Sequence, residues 1–155
     1  MKVFILFFLI FSLSGCEKIA MDRDFPLYLQ NNSNRSVRAY INDDINYSAL
    51  YPDTSISDFK MRLSVEVHSG ERKAIAGGSA PWKSTFEVSV PYDTFSIFVF
   101  EVDTLQAYSW NEIIEDYKVL QRYDLSLEDL EHLDYKLNYP PDAKMSGVKM
   151  YPPYP

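Results

Sequence analysis

Apolar and polar positions alternate with a period of two over much of the stretch between residues 25 and 100, the signature of half-buried strands. Phe25, Leu27 and Leu29 alternate with Pro26, Tyr28 and Gln30. A polar turn follows at residues 31–35, and then Val37, Ala39 and Ile41 alternate with Arg38 and Tyr40. This spacing predicts a first hairpin. Leu27 would lie opposite Ile41 and Leu29 opposite Ala39, with Tyr28 and Tyr40 paired on the other face. Residues 42–58 read as a long loop with room for a short strand near Ile56. Met61, Leu63, Val65 and Val67 predict a strand that ends at the Ser69-Gly70 turn. Residues 73–76 predict a short strand, residues 77–81 a loop, and Phe86, Val88 and Val90 a further strand. Residues 95–100 are apolar on both faces except for Ser96, as expected of a central buried strand.

The C-terminal third changes period. Ser109 and Glu112 have the spacing of a capping box, and Trp110, Ile113, Ile114 and Tyr117 form one helical stripe. Residues 119–123 predict a strand. A second box, Ser126 with Asp129, opens a short helix through Leu127, Leu130 and Leu133. Tyr135, Leu137 and Tyr139 predict a last strand. Residues 140–155 are rich in proline, yet Met145, Val148, Met150, Tyr151 and Tyr154 are too apolar for a free terminus. The tail is therefore expected to lie extended on the body of the protein or past a sheet edge. The fold class that results is mainly β: an antiparallel β-sandwich, Ig-like or similar, with two short α-helices in the C-terminal third.

The N-terminus predicts an address. Lys2 precedes an apolar run over residues 3–13. As a helix that run spans roughly 16 Å, about half of a ~30 Å hydrocarbon core, so it fits a signal-peptide h-region and not a membrane span. Leu13, Ser14, Gly15 and Cys16 then resemble a bacterial lipobox, which implies a diacylglyceryl thioether on Cys16 and cleavage before it. A second acyl chain on the new amine would make attachment stable. The expected organisation is residues 1–15 as a lipoprotein signal peptide, 16–24 as lipidated Cys and tether, and 25–155 as a single sandwich domain. Glu17 follows the Cys where an Asp is the usual inner-membrane retention signal. By that analogy the outer membrane is expected.

Charge and composition narrow the function. The chain has 155 residues, with 15 Lys and Arg against 22 Asp and Glu, a net charge of -7. That argues against a nucleic-acid partner, whose footprint is a basic face. One Cys and two His leave no material for a cysteine metal cluster. Asp43, Asp44 and Asp53, near Asn42 and Asn46, lack calcium-loop spacing and the glycine such a loop needs. Neither a nucleophile elbow nor a phosphate-loop motif occurs around Gly77, Gly78 and Ser79. The acids at Glu112, Glu115, Asp116, Glu128, Asp129 and Glu131 suit helix first turns and solvated faces. His68 and His132 fit surface positions. No metal, cofactor or catalytic residue is expected.

Tyrosine is the unusual feature, with 12 residues against two Trp. Tyr and Trp give large amphipathic contact area and are enriched at interfaces. Tyr28, Arg38 and Tyr40 on the polar face of the first hairpin, with Trp82 and Tyr92 in loops, form the candidate binding surface.

One further pattern covers about residues 95–154. Tyr108, Ser109, Trp110, Ile113 and Tyr117 lead into Arg122, Tyr123, Asp124, Leu125, Ser126, Leu127, Asp129 and Leu130. Tyr139, Pro140 and Pro141 follow, and then Met150, Tyr151, Pro152 and Pro153. It resembles a family of small lipoproteins from Bacteroidota, which implies a secreted, lipid-anchored module and carries over no catalytic residue. The reading is a non-catalytic binding or structural module of the cell envelope, held to the membrane by its lipid. Its partner would be an envelope protein or a glycan. The alternatives are an enzyme acting on an envelope polymer and a glycan-binding accessory protein.

Overall fold

A computed structural model describes residues 25–42 and 64–155. Cys16, the tether, the loop acids Asp43, Asp44 and Asp53, Ile56, Met61 and Leu63 lie outside these residues.

Leu27 and Leu29 point the same way from strand β1 (Leu27–Asn31), and both are fully buried. β1 is the middle strand of a three-stranded sheet. It pairs antiparallel with β4 (Arg72–Ala76) and parallel with β7 (Lys136–Tyr139). A second sheet has five antiparallel strands. Its order is β3 (Val65–Val67), β2 (Val37–Asn42), β5 (Phe95–Glu101), β6 (Gln121–Leu125) and β8 (Lys149–Tyr151). The two sheets enclose one core. Leu27, Leu29, Ile75 and Leu137 from the first meet Val37, Ala39, Ile97, Val99, Tyr123 and Leu125 from the second. The chain is mainly β and sandwich-like, as the alternation predicts, and among the described residues the β1–β7 pair alone is parallel.

The predicted first hairpin does not form. β1 and β2 belong to different sheets, so Leu27 pairs with Ala76 and not Ile41, and Tyr28 does not face Tyr40. The five residues between them form an arch that crosses the core. Both strands still turn their apolar sets inward, so the alternation is obeyed while the pairing is not. The arch is set by Asn31, a fully buried amide at an inward position. Its Nδ2 donates to the carbonyls of Arg35 at 2.7 Å and Val67 at 3.0 Å, and its Oδ1 accepts from Ser33.

A second correction concerns residues 82–90. The alternation of Phe86, Val88 and Val90 predicts a strand, but the segment is helix α1 (Trp82–Ser89). Trp82 and Phe86 are four apart, one helical turn, and both rings pack on Phe95 with centroids 5.7 and 5.5 Å away. Val88 points to solvent and is 79% exposed.

The central strand β5 is buried throughout except at Glu101. Phe95, Ile97 and Val99 face the core, and Phe98 and Phe100 face outward under a helical layer. That layer comprises α2 (Val102–Ala107) and α3 (Trp110–Glu115), whose Leu105, Trp110 and Ile113 meet Tyr40, Phe98 and Phe100. Both predicted capping boxes are present, at α3 and at α4 (Leu127–His132). The sequence reading places two helices in the C-terminal third, and α2 makes a third there. The tail is part of the fold, as its apolar residues require. Met145 is fully buried, Val148 is buried, and β8 forms the sheet edge beside β6. No helix among the described residues is long and apolar enough to cross a membrane.

Candidate functional site

Strand pairing decides which side chains share a surface. Across β6 and β8, Arg122 lies opposite Tyr151 and Asp124 opposite Lys149. Tyr123 and Met150 turn inward to the core, so their neighbours turn outward. Tyr117, in the connection from α3 to β6, completes the wall and meets the Tyr151 ring edge-on, with centroids 5.4 Å apart. These side chains line an open groove of about 510 Å³ on the outer face of the five-stranded sheet.

The floor of the groove is an ordered polar cluster. The Arg122 guanidinium lies 5.8 Å above the Phe98 ring, and its Nε donates to Asp124 Oδ1 at 2.6 Å. Ser96 Oγ donates to the same oxygen at 2.6 Å. Burial works against the Arg122 charge, but the Asp124 carboxylate and a hydrogen bond to the Tyr117 hydroxyl outweigh it and raise its pKa. Burial likewise raises the Tyr117 hydroxyl, with Arg122 pulling the other way. Near neutral pH the groove therefore presents a fixed cation, a neutral phenol, an exposed Lys149 and a Tyr151 ring that is 57% exposed. Such a set offers aromatic contact and charge-assisted hydrogen bonding at one surface.

The residues proposed from sequence do not assemble into one surface. Tyr28 lies on the outer face of the three-stranded sheet, with the Arg72 guanidinium 5.3 Å from its ring. Arg38 and Tyr40 lie on the opposite side of the molecule, on the outer face of the other sheet. Arg38 is ion-paired with Glu66 at 2.9 Å. Tyr40 is 2% exposed and stacked on Phe98, so it belongs to the core under the helices. Trp82 is not in a loop; it opens α1 and is 8% exposed. Tyr92 is exposed in the short 3-10 turn Pro91–Asp93.

One arrangement has the composition of a catalytic relay without its geometry. Ser36 Oγ lies 3.2 Å from His68 Nδ1, and Glu66 Oε1 lies 3.7 Å from the same nitrogen. A relay needs the acid on one ring nitrogen and the nucleophile on the other. Glu112 and Asp129 are held as the reciprocal partners of Ser109 and Ser126 in the capping boxes. Among the described residues no group of three or more His, Cys, Asp or Glu is placed to hold a metal ion.

Comparison with known proteins gives no match to a family model, a curated protein or a solved structure. The groove residues were legible only as a parity. Alternation through residues 121–125 puts Arg122 and Asp124 on one face, but nothing in the sequence pairs that strand with residues 149–151.

Proposed function

We propose that the protein is a lipid-anchored module of the bacterial cell envelope, held at the outer membrane by Cys16, that binds an envelope partner and performs no chemistry on it. The groove beside β8 carries the reading. It combines an edge-to-face tyrosine pair with an Arg122 whose position is locked by Asp124, and that carboxylate is already engaged by two donors. An acid held this way serves to orient Arg122 and not to move protons. The lipobox around Cys16 and the resemblance of residues 95–154 to small Bacteroidota lipoproteins support the envelope location.

Two measurements test the proposal. Metabolic labelling with a fatty acid should mark the wild-type chain and not the Cys16→Ala variant; label on the variant rejects the anchor. Purified full-length protein should bind peptidoglycan fragments or lipopolysaccharide oligosaccharide saturably. Tyr151→Ala removes an exposed ring at the groove and should weaken that binding roughly 30-fold, the scale of an interface hot spot. Equal binding by the variant, or binding of neither glycan, rejects this groove as a glycan site.

A further inference from the structure

The charges of the Tyr117–Tyr151 groove are arranged in depth. Its lining holds two cations, Arg122 and Lys149, against the single carboxylate of Asp124. In a chain of net charge -7, this surface therefore carries one net positive charge. The carboxylate is also the deepest of the three. The Asp124 side chain is 6% exposed and that of Arg122 15%, while Lys149 is an exposed residue. Asp124 Oδ1 accepts from the buried Ser96 hydroxyl and from Arg122 Nε, so its charge is engaged within the protein. The potential at the mouth of the groove is set by the two cations. The charges on either side of Tyr117 do not reverse it, because Asp116 and Lys118 pair with each other at 2.9 Å.

Strand register places these cations beside the rings. Arg122 lies opposite Tyr151 and Asp124 opposite Lys149, so Arg122 and Lys149 are diagonal neighbours on one face. Diagonal neighbours stand about 7 Å apart, a gap that two side chains of this length can close on one anionic group. Tyr151 is two residues from Lys149 along β8 and shares its face. The Tyr117 and Tyr151 rings meet at 76°, so together they form a corner with a flat wall. The groove volume of about 510 Å³ lies in the range of small-ligand sites, roughly 300–1,000 Å³. A corner of this size and shape accepts a rigid ring, and the adjoining cations accept an acidic substituent on that ring.

We propose that the groove binds an acidic sugar, with the sugar ring against Tyr151 and Tyr117 and its carboxylate or phosphate between Arg122 and Lys149. The inference rests on the reading of this groove as the partner site and adds the charge of the ligand to it. Carboxylate and phosphate are both oxyanions that Arg and Lys recognise. A neutral sugar would use the rings and make no use of the positive lining.

The test is a calorimetric titration of the purified full-length protein with two matched pairs of sugars. One pair is trigalacturonic acid and its methyl ester, and the other is phosphorylated mannotriose and mannotriose. The acidic member of a pair should bind about 10-fold more tightly than the neutral one, the scale of one hydrogen bond to a charged group. That preference should shrink as salt is raised, because exposed charges are screened. Tighter binding of the galacturonate identifies a carboxylate sugar as the source, and tighter binding of the phosphorylated mannotriose identifies a sugar phosphate. Lys149→Gln should remove most of the preference with no loss of melting temperature, and Tyr151→Ala should weaken both members of a pair alike. Equal affinity for acidic and neutral members, with both weakened by Tyr151→Ala, overturns the acidic ligand and leaves the groove as a glycan site. A preference that survives in Lys149→Gln and in Tyr151→Ala places the acid elsewhere and overturns the proposal. Binding of none of the four sugars overturns it too, and the peptidoglycan and lipopolysaccharide titrations then decide the groove reading separately. Tighter binding of a hexaglutamate peptide than of either acidic sugar overturns it in favour of an acidic protein segment.

Discussion

The side-chain amide of Asn31 donates to the main-chain carbonyl of Val67 at 3.0 Å, tying the central strand of one sheet to the edge strand of the other. The same side chain holds Arg35 and Ser33, so one buried residue fixes both ends of the arch. Asn31→Ala leaves these groups without their partner. Its expected cost is about 2–4 kcal/mol, since each orphaned buried group costs roughly 1–3. Asn31→Asp keeps the acceptor for Ser33 but aims a negative charge at two carbonyl oxygens. It should be the worse variant at pH 7 and recover partly in acid, where a protonated carboxyl can donate. Urea denaturation measures both. An Asn31→Ala protein within about 0.5 kcal/mol of wild type, the range of ordinary surface changes, would show that the arch does not need the amide.

Two adjacent glycines should respond in opposite ways. Gly77 has φ +116°, and a Cβ there would lie 2.2 Å from the Phe25 carbonyl oxygen. Gly77→Ala therefore meets both a strained backbone and an unyielding main-chain neighbour, for a loss of about 2 kcal/mol or more. Gly78 has open space around its would-be Cβ and no left-handed φ. Gly78→Ala restricts the unfolded chain only and should be neutral or gain up to about 1 kcal/mol. Thermal melts of the two single variants decide it, and equal losses would contradict the geometry.

Sequence pattern carried the inward faces further than the pairing. Leu27, Leu29, Val37 and Ala39 point to the core as the alternation predicts, but a five-residue polar link suits a hairpin and an arch alike. The discriminating signal was Asn31, a polar residue in an apolar slot. A polar residue there needs several buried partners, and an arch brings them together. In residues 82–90 two periods were superposed. Phe86, Val88 and Val90 read as a strand, while Trp82, Phe86 and Val90 recur every four residues as on a helix. Pairing with Phe95 settled which pattern was used, and that contact is long-range. The groove was hidden for a similar reason. Arg122 and Asp124 share a parity, but Lys149 and Tyr151 join them only because a proline-flanked tail returns to the sheet edge.

That tail should be needed for stability. Deleting residues 147–155 removes β8, exposes the edge of β6, and takes away the Pro152 carbonyl that accepts from Gln121 Nε2 at 2.8 Å. It also uncovers the surface under Val148 and Met150. The loss of two such side chains corresponds to a few kcal/mol, or a fall in melting temperature of roughly 10 °C. Calorimetry of the truncated chain beside wild type is the measurement, and a melt indistinguishable from wild type would mean that β8 is only laid on the surface. Just ahead of the deleted residues, Met145→Ala empties a fully buried site and should cost about 2–5 kcal/mol.

Alkaline pH should unfold the protein through its tyrosines, with Tyr123 the steepest contributor. Its hydroxyl donates to the Asn138 carbonyl at 2.8 Å, a second tie between the sheets, and burial pushes its ionisation far above the ordinary 10.0. Burial raises Tyr139 as well, and Tyr117 against the pull of Arg122. In the unfolded chain these groups ionise near 10.0, while in the folded chain they remain neutral. Protons are therefore lost first from the unfolded state, so the stabilisation is complete below pH 10 and declines as pH rises above it. For Tyr123 the decline is about 1.4 kcal/mol per pH unit until the folded state also ionises. Tyr123→Phe should cost about 1–3 kcal/mol at pH 7, because the Asn138 carbonyl loses its donor. Above pH 10 its stability should then fall more slowly than that of wild type. Urea unfolding of both proteins at intervals from pH 8 to pH 11.5 gives two curves that converge. The remaining tyrosines titrate equally in each, so the difference isolates Tyr123, and curves that stay parallel through pH 11.5 would refute its burial as the source of the alkaline limit.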